Sequence, residues 1–315
     1  MLAEFIDKLS SGSVRVYPPT KRVLLCGGNV SKVIEPEYET VMKSLRDSCL
    51  RSRFSENIKD FPKFEFLQIE EIHEFFNKDC PYFDLLEFEK DMAQICELVL
   101  LITEGAGSFV ELGSFSIIDE IKEKLLLVIR RKFVGAESYI ARGPVAALRK
   151  AHPNSVAVLS DAVVGIEGEN FSKIDPYKFG NFLRSPLDVR IKESAERTTL
   201  DVSKFNHACK FYAGILREFY ALNDDELIQL MECFGFKFDT FSFEKVVFCS
   251  SILKWTGTTS AGFDRLHFAR PENEATQFGF ADGWKDKSRR RQILRAHWEE
   301  VDPHRIAAVD EELKS

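Results

Sequence analysis

The sequence predicts a doubly wound α/β fold, in which helices cover both faces of a parallel sheet. Leu98–Ile102 is an unbroken apolar run with a β-branched residue near each end, which is typical of a strand buried on both faces. Apolar runs alternate with helical patterns through the first half of the chain, and this alternation indicates parallel strands. The small residues Gly105–Gly107 end the central strand, and we expect the next helix to begin at Ser108.

The elements before the central strand follow from the spacing of apolar residues. A short amphipathic helix within the first twenty residues is predicted to be an addition outside the core. Val23–Gly28 is an apolar strand that ends in a glycine pair. Tyr38–Leu50 has apolar residues at helical spacing, and Phe64–Ile69 alternates as a second strand. A loop or lid and a further helix complete this part: Phe75–Tyr82 and Leu85–Cys96.

After the central strand, two more strands are predicted, at Lys124–Ile129 and Ser155–Leu159. Between them a helix is expected to begin at Gly143-Pro144, because proline suits the first helical turn. These elements give a first domain over residues 1–165. Loosely patterned residues 166–200 are interpreted as a connector.

A second domain is predicted over residues 201–315. Three helices are expected, over Phe205–Leu222, Glu226–Phe234 and Phe243–Leu253. A glycine-containing turn after Trp255 then leads to a strand at Phe263–Phe268. This order indicates either a winged-helix-like module, which often binds nucleic acid, or a small helical packing domain.

Composition narrows the class of protein. The chain has 315 residues and a formal net charge of −7, which argues against a surface that coats nucleic acid everywhere but allows a local basic patch. The seven cysteines have no paired metal-type spacing, and they indicate a reducing cytoplasm and no metal site. We see no run long enough to span a membrane and no signal-peptide pattern at the start, so a cytoplasmic protein is expected.

A basic cluster with flanking tryptophans lies near the end of the chain, at Lys285–Arg295. Basic and aromatic side chains together suit contact with a nucleic-acid backbone and its bases. Acidic residues follow soon after, at 299–312, and could neutralise the cluster. A solvated, self-compensating helical tail is therefore the alternative.

Glu111 is the candidate catalytic residue, because its carboxylate is expected in the first turn of the helix that follows the central strand. In open α/β sheets, sites lie at the carboxyl ends of the strands. The alternative is structural: Ser108 and Glu111 have the spacing of a capping box, in which the glutamate bonds the backbone of the serine.

Other candidates surround this position. The turn of Gly27, Gly28 and Asn29 is predicted to be either a ribose or phosphate cradle or an ordinary tight turn. Arg130 and Arg131 follow a buried strand and could bind a phosphate, or be surface charge. The remaining substrate-binding candidates are Glu104, Gly107 and Ser108 of the central loop, together with Glu89 of an acidic helix.

Two groups of motifs carry a resemblance to known families. Gly107–Gly113 is similar to the Gly-(Ser/Thr)-x-x-Glu-x-Gly element of nucleoside 2-deoxyribosyltransferases, in which the glutamate is the nucleophile. With Cys26–Gly28, Glu104 and the segment 143–150, the first half resembles deoxyribosyltransferase-like effectors encoded beside retron reverse transcriptases. That resemblance implies a nucleoside deoxyribosyltransferase/flavodoxin-like fold, with Glu111 as the nucleophile and an acidic residue, Glu89, that orients the substrate.

The resemblance also implies an activity and partners. It implies a toxic antiviral effector that cleaves the N-glycosidic bond of NAD, with NAD as substrate and no cofactor. Restraint by the reverse transcriptase and its msDNA and noncoding RNA is implied as well, in a homo-oligomer or higher-order assembly away from membranes. One departure is Gly105-Ala106, where transferases carry an aspartate before the Gly-Ser/Thr pair, and it favours hydrolysis over nucleobase transfer. Alternatives are a deoxyribosyltransferase, a phosphoribohydrolase, or a non-catalytic nucleotide sensor with a DNA-binding module.

Overall fold

A computed structural model describes residues 2–9, 13–30, 42–51, 64–69, 72, 80–135, 137–193, 197–239, 241–270, 274–280 and 284–314. The chain divides into two compact units. The sheet unit lies within residues 21–75 and 86–194, and the terminal unit within 1–20, 76–85 and 195–315. The first twenty residues therefore belong with the C-terminal part, whereas the sequence assigns them to a first domain over 1–165.

In chain order the elements are α1 (Leu2–Asp7), β1 (Arg15–Val16), β2 (Arg22–Cys26), α2 (Leu45–Arg51), β3 (Glu65–Leu67), α3 (Leu85–Ile95), β4 (Leu98–Thr103), α4 (Ala106–Phe115), α5 (Asp119–Lys122), β5 (Leu125–Arg130), α6 (Ala146–Ala151), β6 (Val156–Leu159), α7 (Asp161–Val164), α8 (Pro176–Glu193), β7 (Thr198–Thr199), α9 (Phe205–Phe219), β8 (Ala221–Asn223), α10 (Asp224–Cys233), α11 (Phe243–Ile252), β9 (Thr256–Ala261), β10 (Asp264–Ala269), β11 (Thr276–Gln277), α12 (Lys287–Val301) and α13 (Pro303–Glu312). A 3₁₀ turn covers Arg131–Phe133, and a π-helical turn at Ala141–Val145 runs into α6. Among the described residues, none of the helices is long and apolar enough to cross a membrane.

Five parallel strands form the sheet of the sheet unit, in the order β3-β2-β4-β5-β6. Every residue of β4 and of β5 is buried. Because alternate side chains of a strand point to opposite faces, this burial means that both faces of the sheet are covered. The predicted parallel sheet, with a central strand that begins at Leu98, is confirmed.

One face of the sheet packs against α2 and α8. Phe179, Leu183 and Leu187 of α8 are fully buried in a core with strand residues such as Leu100. This helix occupies about half of the predicted connector over 166–200, so the connector prediction differs from the structure there. Pro186 lies inside α8, and it interrupts the sequence pattern by which a helix is recognised.

The N-terminal segment belongs to the core of the terminal unit. Phe5 of α1 is fully buried, and its ring centre lies 4.7 Å from that of Phe219 and 5.1 Å from that of Phe280. β1 pairs antiparallel with both β7 and β11. The predicted helix exists, but it is part of a core and not an addition to one.

The centre of the terminal unit has the order α9-β8-α10-α11-β9-β10. Its three strands form an antiparallel sheet in the order β8-β10-β9, and the three predicted helices are confirmed. β9 lies where the sequence indicates a turn, so this region is a hairpin of two strands. Phe263 is fully exposed at the tip of the hairpin.

Candidate active site

A cavity of about 320 Å³ lies at the carboxyl ends of β2 and β4. These neighbouring strands are the first and third strands of the sheet in chain order. Ligand sites of doubly wound folds lie at such a point, where the strand order reverses. The lining residues come from three segments of the chain and one aromatic ring: Gly27, Gly28, Asn29, Lys43, Ser44, Glu104, Gly105, Gly107, Ser108 and Phe171.

Hydrogen bonds of the Ser108 side chain stabilise the turn between β4 and α4. Its Oγ accepts hydrogen bonds from the backbone N–H of Glu104, at 2.9 Å, and of Gly105, at 3.1 Å, and donates to the Gly105 carbonyl. Because α4 begins at Ala106, Ser108 is the third residue of the helix and not its start. The expected helix start at Ser108 is wrong, and so is the alternative capping box with Glu111.

Glu111 is the sixth residue of α4, so it lies in the second turn and not in the first as predicted. It follows Gly107 by four residues and Ser108 by three, and this spacing places all three on one face of the helix. Gly107 and Ser108 line the cavity. A Cβ atom at Gly107 would meet open space, so the helix leaves the cavity free at this point. Glu111 itself is half-buried.

The glycine pair after β2 permits close packing against the loop after β4. A Cβ atom at Gly27 would lie 3.0 Å from the Ile102 carbonyl oxygen, and one at Gly28 would lie 3.0 Å from Glu104 Oε1. Gly27 also has a φ of +153°, which other residues rarely adopt. Asn29 is exposed, and its carbonyl accepts a hydrogen bond from Ser44 Oγ at 2.7 Å.

Glu104 joins the three segments of the cavity wall. Its Oε1 accepts from the N–H of Gly28, at 3.2 Å, and of Arg46, at 3.0 Å, and its Oε2 accepts from the N–H of Leu45. Burial raises the pKa of Glu104, while these hydrogen bonds and the charge of Arg130 oppose the rise. The sequence prediction placed Glu104 at the site but missed that it holds the start of α2.

Four other cavity residues are not among the predicted site residues: Lys43, Ser44, Gly105 and Phe171. The sequence does carry a signal for Ser44, because its Oγ accepts from the N–H of Asp47 at 2.9 Å as an N-cap serine does. Phe171 lies far from the other lining residues in the sequence, and only the fold brings it to the cavity.

Arg130 is fully buried in a network of ion pairs. It donates to Asp161 at 2.8 and 2.9 Å and to Glu169 at 2.9 Å, and its guanidinium lies 5.3 Å from the ring centre of Phe171. The hydrogen bonds to Asp161 raise the pKa of Arg130, and they lower the pKa of Asp161. The cation predicted to bind a substrate phosphate is therefore engaged within the protein.

Glu111 is not in the set that lines the cavity, and two further predicted site residues also lie outside it. Arg131 is exposed in the 3₁₀ turn after β5. Glu89 is half-buried on α3. The structure does not bring them together with the glycine turn.

The basic cluster of the C-terminal tail is largely neutralised. Arg290 is buried and donates a hydrogen bond to Glu218 at 2.7 Å. Arg291 pairs with both Glu218 and Glu274, at 2.8 Å. Arg295 pairs with Glu299 and Asp310. These three guanidinium groups bind carboxylates of the same unit, as the alternative of a self-compensating tail predicts, and a nucleic-acid-binding surface at 285–295 stays a prediction.

A family model described as STM3845 retron effector protein matches residues 43–258. The match covers more than half of the chain and includes α2, the cavity segment after β4 and the helices α9, α10 and α11 of the terminal unit. The chain belongs to this retron effector family.

Two curated Escherichia coli proteins are similar to parts of the chain. It is 28% identical to the "Retron Ec86 putative ribosyltransferase/DNA-binding protein" over 134 residues. These residues make up 42% of this chain and 39% of that protein. It is 31% identical to the "Retron Ec73 putative ribosyltransferase/DNA-binding protein" over 72 residues. These residues make up 23% of this chain and 23% of that protein. The similarity thus spans less than half of either relative.

Proposed function

We propose that this retron effector cleaves the N-glycosidic bond of NAD, or of a related nucleotide, with Glu111 as the carboxylate nucleophile. Attack of the carboxylate on the anomeric carbon displaces nicotinamide and forms a glycosyl ester, which water then hydrolyses. The nicotinamide of NAD is already cationic and leaves without a proton donor. The activity is therefore a glycosyl-transfer chemistry, as the names of the two relatives suggest for those proteins.

The observation that supports the proposal is the spacing of Glu111 from Gly107 and Ser108, two residues of α4 that line the cavity, while Glu111 itself is not among the lining residues. Gly107, one helical turn before it, adds no side chain between the helix and the cavity. A half-buried carboxylate at the carboxyl edge of a parallel sheet is where an anomeric carbon could be attacked.

A nucleoside or deoxynucleoside substrate is the second candidate. The ion pairs of Arg130 favour it, because they occupy one of the cations expected to bind a pyrophosphate. On this alternative, the enzyme acts on the class of substrate that a deoxyribosyltransferase uses.

We further propose that the terminal unit contains a winged-helix module that binds nucleic acid of the retron, and that the reverse transcriptase and msDNA restrain the toxic activity. The support is topological: the order α9-β8-α10-α11-β9-β10 and a sheet in the order β8-β10-β9 are those of a winged helix. Because Arg290, Arg291 and Arg295 of the tail pair with carboxylates, we assign this contact to the module around α11.

One hydrolysis assay tests the function. Purified protein is incubated with NAD, nicotinamide riboside, a set of deoxynucleosides and the matching monophosphates, and the released bases are separated by chromatography. We expect nicotinamide release from NAD by wild type, no release by E111Q, and wild-type release by the exposed control E120Q. Cleavage of a deoxynucleoside but not of NAD would favour the second candidate, and no cleavage of any substrate would favour a nucleotide sensor.

A further inference from the structure

The carboxylate of Glu104 fills a cluster of backbone N–H groups. One N–H belongs to Gly28, in the turn after β2, and two belong to Leu45 and Arg46, at the start of α2. Each of the two carboxylate oxygens accepts at least one of these bonds. An ionised carboxylate fits this environment, since it only accepts, whereas a protonated carboxyl group would turn an O–H toward an N–H.

Backbone N–H groups in a glycine turn and at a helix start are the groups that commonly hold a phosphate in α/β proteins. In this protein these N–H groups donate hydrogen bonds to the carboxylate of Glu104. The packing is close on both sides of the turn: a Cβ atom at Gly28 would lie 2.9 Å from the Ser44 side chain and 3.0 Å from Glu104 Oε1. A glycine at position 28 is therefore what allows the carboxylate to reach the turn.

Among the described residues, the charge of Arg130 opposes the rise in the pKa of Glu104, and this guanidinium also pairs with Asp161 and Glu169. A phosphate group at this wall of the cavity would find the backbone N–H groups already bonded to Glu104. It would also be repelled by the negative charge of Glu104, and this repulsion is screened less than it would be in water.

We propose that Glu104 determines which part of a substrate lies against the glycine turn, because its carboxylate excludes phosphate there and leaves room for the sugar or base of a nucleoside. A carboxylate has acceptor capacity for about four hydrogen bonds, so with three in use one ribose hydroxyl can still donate to it. The phosphates of a nucleotide then point away from the turn. The identity of the nucleoside rests on the proposed function, whereas the exclusion of phosphate does not.

The experiment follows the backbone amide signals of Gly28 and Arg46 by NMR. Inorganic phosphate and nicotinamide riboside are titrated separately at constant ionic strength, into wild type, E104Q and E104D. For wild type and E104D, which keep the negative charge, we expect no saturable phosphate-induced shift at these amides. For E104Q, which loses the charge with little change in shape, we expect phosphate to bind at least about tenfold more tightly than to wild type. Nicotinamide riboside should shift Gly28 in wild type.

A saturable phosphate shift at Gly28 in wild type overturns the proposal, and so does an E104Q response equal to that of wild type. If E104Q does not fold, the wild-type phosphate titration still decides. Failure of nicotinamide riboside to bind or to be cleaved would count against the proposed function, while the phosphate titration would continue to test Glu104.

Discussion

Arg130 donates to both carboxylate oxygens of Asp161, with Nε···Oδ1 at 2.9 Å and Nη2···Oδ2 at 2.8 Å. This paired contact joins the last residue of β5 to the first residue of α7. The buried guanidinium also lies against Phe171, a residue of the cavity wall. The end of β5 therefore shapes the candidate site through an internal ion pair.

Replacement of Arg130 tests whether this cation is structural. We expect R130Q to lower the free energy of unfolding by about 2 kcal/mol, because it removes the buried guanidinium that pairs with Asp161, whereas Glu169 keeps its pair with Lys132. The exposed neighbour provides the matched control, and R131A should change stability by less than about 0.5 kcal/mol. On the proposed function, R130Q should impair cleavage of NAD and of nicotinamide riboside alike. A Michaelis constant raised for NAD alone would instead show that Arg130 binds the pyrophosphate.

The same pair makes stability depend on pH in a defined direction. The hydrogen bond from Arg130 lowers the pKa of Asp161 below its ordinary 3.8. A lowered pKa means that the pair contributes fully above about pH 4 and loses its contribution as the pH falls through the folded-state value. Urea unfolding from pH 7 to pH 3 should therefore show the difference between wild type and R130Q shrinking below about pH 4. A constant difference would assign it to packing against Phe171.

Glu111 should be dispensable for folding if it acts in catalysis. The capping box at the start of α4 is formed by Gly105 and Ser108 and does not include Glu111. We expect E111Q to unfold within a few degrees of wild type in a thermal scan, as E120Q does, while it loses activity. A much earlier transition for E111Q alone would support a structural role for this carboxylate.

The central part of the fold was predictable because it is encoded locally. The apolar runs at Leu98 and Leu125 are strands in which every residue is buried, and the position of the cavity follows from where such strands end. The start of α4 was misplaced by two residues, because a serine at its third position bonds the turn in the way a first residue usually does. α8 was missed because Pro186 breaks its pattern, and its burial depends on a sheet formed by residues far away in the sequence.

The sequence of a charge cluster does not show which of its side chains are buried in ion pairs. Two adjacent arginines of the tail illustrate this and provide a test. Arg289 is exposed, whereas Arg290 is 5% exposed and pairs with Glu218, which is 2% exposed. We expect R290A to lower the free energy of unfolding by about 3 kcal/mol, because it weakens the compensation of a buried carboxylate. R289A should be neutral in urea unfolding. If R289A and R290A instead both reduce nucleic-acid affinity without loss of stability, the tail is an interface.

Tyr82 covers one side of α11, the helix that a winged-helix module would present to nucleic acid. Its hydroxyl lies 3.1 Å from Cys249 Sγ, and its ring centre lies 5.9 Å from that of Phe248. Lys245 Nζ lies 4.8 Å from the same ring centre, and Tyr82 itself is 6% exposed. Nucleic acid can use this side of α11 only if the tyrosine moves.

Removal of the ring should therefore increase affinity for a duplex DNA probe. We expect Y82A to bind about tenfold more tightly than wild type, a gain of about 1.4 kcal/mol, in fluorescence anisotropy at fixed salt. Y82F is the matched control, because it keeps the ring and loses only the hydroxyl, and its affinity should equal that of wild type. Since truncation of a buried aromatic side chain costs about 3–5 kcal/mol, the folded state of Y82A is checked by circular dichroism at the temperature of the assay. Folded Y82A that binds DNA no more tightly than wild type would show that α11 does not present its covered side to nucleic acid, and would leave the exposed hairpin around Phe263 as the surface to test next.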